Sequence, residues 1–544
     1  MSDRVESLLS RMTLAQKLGQ MTQPERQHIA PDEVTRYHIG SVLSGGGSAP
    51  GANLPSDWVA MNDAYWAASV VEDEEYLGIP LLYGVDAVHG HNNVRGAVLF
   101  PHNIGLGAAR DPGLIERIAR VTAREVLATG VEWTFAPTLA VVRNDHWGRT
   151  YESYSEHPEI VSSYASAFVR GLQGDLREDS VVACAKHWVG DGGTKHGIDQ
   201  GRTDIPEEEL RSLHVAPYRP ALEAGVLTVM ASYNSWNDVK CHGHRYLLTD
   251  VLKGELGFDG FVVSDWDGID QISDDYAEAV RISVNAGVDM FMVPDKWRRF
   301  LVDLKAEVEA GRIPMERIDD AVRRILWVKE AYGLFERDRP AERRWSGSDS
   351  FGSDEHRAVA REAVRKSLVL LKHENDVLPI SSESDDDRTI LVAGKSAHNI
   401  GFQCGGFSLA WQGTDGNDQV EGGTSIWDGI QAAVPGAELS EDGSAADAAR
   451  HRVAVVVIGE RPYAEGMGDV RPPGVQVKRG SSLTTAGAGG MQPYGTTLEH
   501  AVSHSEDLAV LRRVAEAGIP IVTVLVSGRP LVVNPELEMS DAFV

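Results

Sequence analysis

Short apolar runs alternate with longer amphipathic segments from the start of the chain to about residue 335, an order that predicts βα units on a parallel sheet. Strands are predicted over Ile39–Leu43, Pro80–Val85, Glu132–Ala136, Val181–Ala185, Leu227–Ser232, Phe261–Ser264 and Asp289–Val293. Most of these runs are continuously apolar, as strands covered on both faces must be. Apolar residues at helical spacing predict helices over Leu114–Leu127, Ile160–Leu172, Glu207–Leu222 and Ile318–Ala331. Seven or eight such units within 1–335 point to a barrel. Residues 336–354 are rich in Arg, Asp, Ser, Gly and Pro, carry little apolar periodicity and read as a linker. A second α/β pattern occupies 355–544, with a helix over Asp354–Ser367 and strands over Leu368–Leu371, Ile390–Ala393, Val453–Ile458 and Ile521–Val526. It predicts a separate, doubly wound domain. Arg479–Gly490 is of low complexity and reads as a mobile loop. The chain stops at Asp541-Ala-Phe-Val544 in what reads as the middle of an element, so a C-terminal portion of the second domain is expected to be absent.

Composition narrows the class. With 544 residues, 42% of them hydrophobic, the chain exceeds a single core and is globular. Asp and Glu number 80 against 52 Lys and Arg, a formal charge of -28, so no basic face for nucleic acid is expected. Only 12 of the basic residues are Lys and 40 are Arg. An acidic, lysine-poor surface predicts a protein suited to high salt, where screening relieves self-repulsion. Cys184, Cys241 and Cys404 are far apart and lack metal-ligand spacing. The N-terminus has no basic start followed by an apolar core, and no run approaches a membrane span. A cytoplasmic enzyme that meets no membrane is the expectation.

Several predicted strands end in chemistry. Phe261-Val-Val-Ser-Asp-Trp-Asp267 delivers a carboxylate and then an aromatic ring into a loop. Alone, Asp265 reads most simply as a helix N-cap. Its company changes that reading, because other strand ends carry Asp86, Lys186 with His187, and Tyr233, while the loop Asp145–Glu152 carries Arg149. Residues leaving the C-terminal strand ends build the active sites of α/β barrels. A pocket of Asp, Arg, Lys, His and Trp suits a many-hydroxyl sugar, with charged groups for vicinal hydroxyls and aromatic faces for the ring. Asp265 is the candidate nucleophile.

The runs Tyr83-Gly-Val-Asp-Ala-Val-His-Gly-His-Asn-Asn93, Phe100-Pro-His-Asn-Ile-Gly-Leu-Gly107, Trp147-Gly-Arg149, Ala185-Lys-His187, Gly190-Asp-Gly-Gly193 and Val263-Ser-Asp-Trp266 together resemble glycoside hydrolase family 3, of the β-glucosidase and β-D-glucan exohydrolase type. The resemblance runs from near residue 8 to about 540. It implies an N-terminal (β/α)8 TIM-like barrel followed by an (α/β)6 sandwich, with the pocket at their junction. It assigns the nucleophile to Asp265 and the terminal sugar to Asp86, Arg149, Lys186, His187 and Tyr233. Val453-Ala-Val-Val-Val-Ile-Gly-Glu-Arg-Pro-Tyr-Ala-Glu465 resembles the second-domain strand and loop that supply the acid/base, at Glu465, with Glu460 as competitor. Gln403-Cys-Gly-Gly-Phe-Ser-Leu-Ala-Trp411 resembles a loop whose tryptophan clamps the leaving group, which pairs Trp266 with Trp411. Phe407 stands where relatives often carry tryptophan.

The implied function is a retaining, exo-acting β-glucosidase that removes terminal β-D-glucosyl residues from oligosaccharides or glucosides without metal or organic cofactor. Its two carboxyl groups should stand roughly 5 to 5.5 Å apart. Alternatives remain open at this point. A β-xylosidase or a catalytically weak carbohydrate-binding relative would share the motifs. The β-N-acetylglucosaminidase branch places a second histidine in a barrel loop that here reads Lys186-His-Trp-Val-Gly-Asp-Gly192, with His196 at the wrong spacing. A metal-dependent barrel hydrolase would use His89, His91, His187, Asp191 and Asp265.

Overall fold

The computed structural model describes residues 2–381, 387–471 and 493–544. Arg479–Gly490, read above as a loop, lies outside the described residues.

Eight short parallel strands form the first unit: β1 (Thr22–Gln23), β2 (Ser41–Ser44), β3 (Leu82–Val85), β4 (Trp133–Thr134), β5 (Val182–Trp188), β6 (Thr228–Ala231), β7 (Phe261–Val263) and β8 (Phe291–Met292). Strands β2 to β7 make a continuous sheet in chain order, and β1 pairs with β8. Parallel bridges Glu25↔Leu43 and Val263↔Met290 join the two pieces at both edges and close the ring. Strand β1 carries no apolar run, which is why hydrophobic pattern alone misses it. Inside the ring Trp133 stacks edge-on against Phe135 and Phe261, with centroids at 4.9 and 5.4 Å. Phe135 fits because β3 carries Gly84, where a Cβ would stand 2.5 Å from the Phe135 ring. Helices Pro112–Ala128, Pro158–Gln173 and Met315–Ala331 pack outside.

The segment predicted as one helix over Glu207–Leu222 is broken. A single α turn, Glu207–Glu209, runs into the wide turn Leu210–Val215, and a second helix covers Tyr218–Glu223. Pro217 and Pro220 lack the N–H groups that would continue the ladder.

Among the described residues the second unit is a six-stranded sheet in the order β9 (Lys372–His373), β14 (Ala542–Phe543), β13 (Ile521–Val526), β12 (His451–Gly459), β10 (Thr389–Ala393), β11 (Glu438–Leu439). All neighbours are parallel except β9 with β14. Alternate residues of β12 feed two cores. Ala454, Val456 and Ile458 meet Leu511 and Val514 of helix Ser505–Glu516, while Val453, Val455 and Val457 meet Ile426 and Ile430 of helix Ile426–Ala433. A sheet covered on both faces explains the unbroken apolar text of this strand. The strand predicted over Leu368–Leu371 is not formed. These residues are exposed, and pairing begins where Leu371 N–H donates to Phe543 O, one residue ahead of β9. No helix among the described residues is long and apolar enough to cross a membrane.

Lys329 is among the ionisable side chains held deep in the barrel unit. Lys329 is fully buried, and its ammonium donates to Gln20 Oε1 at 2.8 Å. Burial pushes its pKa down to about 7, against a weaker pull upward from Glu132. Because the folded value lies below the unfolded one, stability rises with pH between them. Substituting Lys329→Met is therefore expected to reduce the rise in Tm from about pH 7 to about pH 9, leaving the part due to buried Lys253, whose pKa burial lowers to about 8. Calorimetric melts of both proteins across that range check it; parallel wild-type and variant curves would assign the titration elsewhere.

Candidate active site

Where β3 to β7 end, the side chains Asp86, Lys186, His187, Tyr233, Asp265 and Trp266 turn into a cavity of about 520 Å³, joined by Arg149 from the loop after β4. Trp411 and Glu465 of the second unit complete its wall. All nine residues singled out from the sequence thus meet in one place. Phe135, Met230 and Met292 from the barrel interior line it with them.

Hydrogen bonds fix most of the wall before any ligand arrives. Lys186 Nζ donates to Asp86 Oδ1 at 2.7 Å. Burial works against the Lys186 charge, but Asp86 and Glu152 outweigh it and hold the amine protonated. Arg149 donates twice to Glu152, at 2.8 and 3.0 Å, a planar fork that leaves the guanidinium little freedom. A third bond, 3.1 Å long, runs from Arg149 Nη2 to His187 Nε2. Burial and the neighbouring Arg149 and Lys186 charges keep His187 neutral. Its other nitrogen, Nδ1, then carries the proton and donates to Asp191 Oδ2 at 2.9 Å. Tyr233 donates its hydroxyl to Trp266 O and ties two strand ends together.

Asp265 caps no helix. Its Oδ1 accepts the Trp266 N–H at 2.7 Å, its own N–H donates to His242 Nε2 at 2.9 Å, and Oδ2 has no hydrogen-bond partner among the described residues. Burial lifts the Asp265 pKa to about 6, with Arg149 and Lys186 holding it down. Glu465 lines the same cavity, and its pKa is lifted further, to about 8. Burial is the main cause, opposed by Arg149 and assisted by Asp199 and Asp265. Two carboxyl groups in one cavity with separated pKa values can act as an ionised nucleophile and a protonated acid.

Glu465 reaches the barrel because its loop rests on Gly148. A Cβ at position 148 would fall 1.9 Å from Glu465 O and 2.8 Å from the Gly468 carbonyl carbon. The glycine between Trp147 and Arg149 is therefore the seat of the second unit. Nearby, Val88 and Tyr151 pack with Phe407, Tyr463 and Ala464, and Tyr151 donates to Tyr463 O at 2.8 Å. Loop 405–411 is pinned likewise: Leu409 N–H donates to Asn92 O, and the imidazoles of His89 and His102 bond Phe407 O and Gly406 O. The Gly-rich turn after β2 receives both tryptophans. A Cβ on Gly45 would stand 2.6 Å from the Trp266 ring, and one on Gly46 would stand 3.3 Å from Trp411 Cβ.

Other sequence candidates are placed elsewhere. Glu460 is buried outside the cavity and accepts from Tyr463, Ser527 and the Gly528 N–H at 2.8, 2.8 and 3.1 Å. His196 is exposed, and Asp191 takes His187 as its partner. The metal-centred reading is split: His187 lies beside Asp191 and Asp265, but His91 is bonded to Thr129 Oγ1 and His89 to Phe407 O. Among the described residues, His504, Glu506 and Asp507 could gather round an ion, but Lys395 Nζ already contacts all three. Sequence reasoning overlooked His242 and Glu152 in the supporting wall. Glu152 was within sight, three residues after Arg149; nothing local marks His242, whose role depends on the approach of two strand ends.

The family models for the glycosyl hydrolase family 3 N-terminal and C-terminal domains match residues 13–328 and 368–544. A lysosomal beta glucosidase of Dictyostelium discoideum is 31% identical over 99% of this chain and 68% of its own length. A beta-xylosidase of Formosa agariphila is 32% identical over 85% of this chain and 64% of its own. The crystal structure of an exo-1,3/1,4-beta-glucanase from a Pseudoalteromonas species superposes with a TM-score of 0.91 at 46% identity, covering 99% of this chain and 66% of that one. The chain thus spans about two thirds of the length of these relatives.

Substituting Gly148→Ala is expected to lift loop 465–469 from the barrel while both sheets stay folded. Hydrogen exchange should then quicken at the Gly468–Val470 amides and stay slow in β5 and β12; unchanged exchange at the loop would show that the seat tolerates a methyl group.

Proposed function

The chain belongs to glycosyl hydrolase family 3, and on that premise we propose that it is a retaining, exo-acting β-glucosidase of the glucan exohydrolase type. The observation that carries the proposal is the shared cavity of Asp265 and Glu465, one from each unit, with their pKa values held apart. Asp265 Oδ2 attacks the anomeric carbon while Glu465 gives its proton to the departing glycosidic oxygen, leaving a glucosyl ester on Asp265. Glu465, now ionised, takes a proton from water, whose oxygen displaces the Asp265 carboxylate. Two inversions leave the β configuration. Asp86, Lys186, Arg149 and His187 hold the hydroxyls of the terminal sugar, and Trp266 with Trp411 flanks the leaving group. A cavity floored by the packed barrel interior favours release of one terminal residue at a time, and its volume suits a small ligand. The kinship with an exo-1,3/1,4-beta-glucanase favours β-1,3- and β-1,4-linked glucosides as substrates. The likeness to a beta-xylosidase makes xylosides the second candidate, with Asp86 favouring the outer hydroxyls of a hexose.

A panel of aryl β-glycosides tests the assignment: glucosides should outrun xylosides and N-acetylglucosaminides, and hydrolysis of none would sink it. Activity should be bell-shaped in pH. It falls below about 6 as Asp265 takes up a proton and above about 8 as Glu465 loses its own. Asp265→Asn should cost at least a factor of about 10³ in kcat. A variant that keeps a tenth of wild-type activity would remove Asp265 from the role.

The charge of -28 and the 12 lysines among 52 basic residues support a working environment of high salt. Raising KCl to about 1 M, where the Debye length is roughly 3 Å, should raise Tm. A melt that is flat or falling with KCl would refute that reading.

A further inference from the structure

Four residues past Glu465 stands Asp469, fully buried and outside the cavity wall. Its Oδ1 accepts the Gly148 N–H at 2.9 Å and its Oδ2 the Asp199 N–H at 3.0 Å. These amides belong to two different barrel loops, so one carboxyl group from the second unit fastens both. Val470 N–H adds a bond to His146 O at 2.8 Å, and Arg529 reaches both Gly468 O and, at 3.1 Å, Asp145 O. Just ahead of these anchors, Glu465 is held in the left-handed backbone region at φ 54°, which a residue with a Cβ keeps only where its surroundings impose it.

The side chain at 469 is matched to this task. Asparagine could accept only one of the two N–H groups, because its amide nitrogen would face the other donor. Alanine could accept neither. The arrangement is also a costly one. Burial, and then the Asp199 charge, push the Asp469 pKa well above the usual carboxylate range, while the two backbone donors pull it down. A buried carboxyl group beside a second one is a poor source of stability, but it makes a short clamp.

Resting on the acid/base role proposed for Glu465, we infer that Asp469 is the positioning residue that holds Glu465 at the glycosidic oxygen, by clamping the Glu465 loop to Gly148 and Asp199. It touches neither sugar nor nucleophile. Losing it should therefore reproduce the loss of proton transfer and spare the chemistry of Asp265.

The test compares Asp469→Ala, Asp469→Asn and Glu465→Ala on a methylphenyl β-glucoside, whose departure needs a proton, and a dinitrophenyl β-glucoside, whose departure does not. For Asp469→Ala, kcat/KM on the methylphenyl substrate should fall by about 10² or more, while the dinitrophenyl value stays within about fivefold of wild type. Azide should then raise kcat for the dinitrophenyl substrate. As an anion it displaces Asp265 from the glucosyl ester without a base, forming β-glucosyl azide. Asp469→Asn, which keeps one acceptor, should fall between; it also decides the matter if near-UV circular dichroism shows the alanine variant unfolded. Equal losses on both substrates without azide rescue, or wild-type kinetics, would overturn the positioning role. If Glu465→Ala shows the leaving-group signature and Asp469→Ala does not, the clamp alone is wrong; if neither shows it, the acid/base assignment itself fails.

Discussion

The packing of the Glu465 carbonyl onto Gly148 is the constraint from which the rest of the site follows. A barrel and a doubly wound sheet are each able to bury their own cores, so nothing in either fold requires them to meet at this angle. Two backbones in contact at a glycine leave almost no freedom of translation. The small apolar cluster of Val88, Tyr151, Phe407, Tyr463 and Ala464 removes water from the same seam. Once the seam is set, the ends of the second unit's loops become part of the barrel's mouth.

Electrostatics inside that mouth turn on Arg149. Its fork to Glu152 fixes it, its third bond holds His187 neutral at Nε2, and its charge keeps both Asp265 and Glu465 lower than burial alone would place them. Under the proposed mechanism this matters because burial would otherwise protonate the nucleophile along with the acid. One guanidinium thus lets two carboxyl groups share a poorly solvated cavity with different charges. Across the same cavity Lys186 pairs directly with Asp86.

Much of the fold was legible because buried parallel strands write themselves as apolar runs. Val453 to Ile458 feeds two cores and has no polar position to spare. The exceptions have physical reasons. Thr22–Gln23 is a strand by closure of the ring, not by its own apolar content. Leu368–Leu371 has the composition of a strand, yet among the described residues it pairs with nothing until its last residue and stays exposed. Glu207–Leu222 has a helical period, but its prolines break the ladder.

From the residues alone follow the two α/β units, the carboxylate and aromatic residues at the strand ends, and the resemblance that gathered them into one site. Those are local properties, written in periodicity and in ordered motifs. It took the folded molecule to show why Gly148 must lack a side chain, that His242 supports Asp265, that Glu460 is tied up in the second unit, and that Asp469 spans the seam. Each of these depends on groups from separate loops or units arriving within a hydrogen bond of one another. Such a distance is fixed by packing across the whole molecule, and no window of sequence contains it.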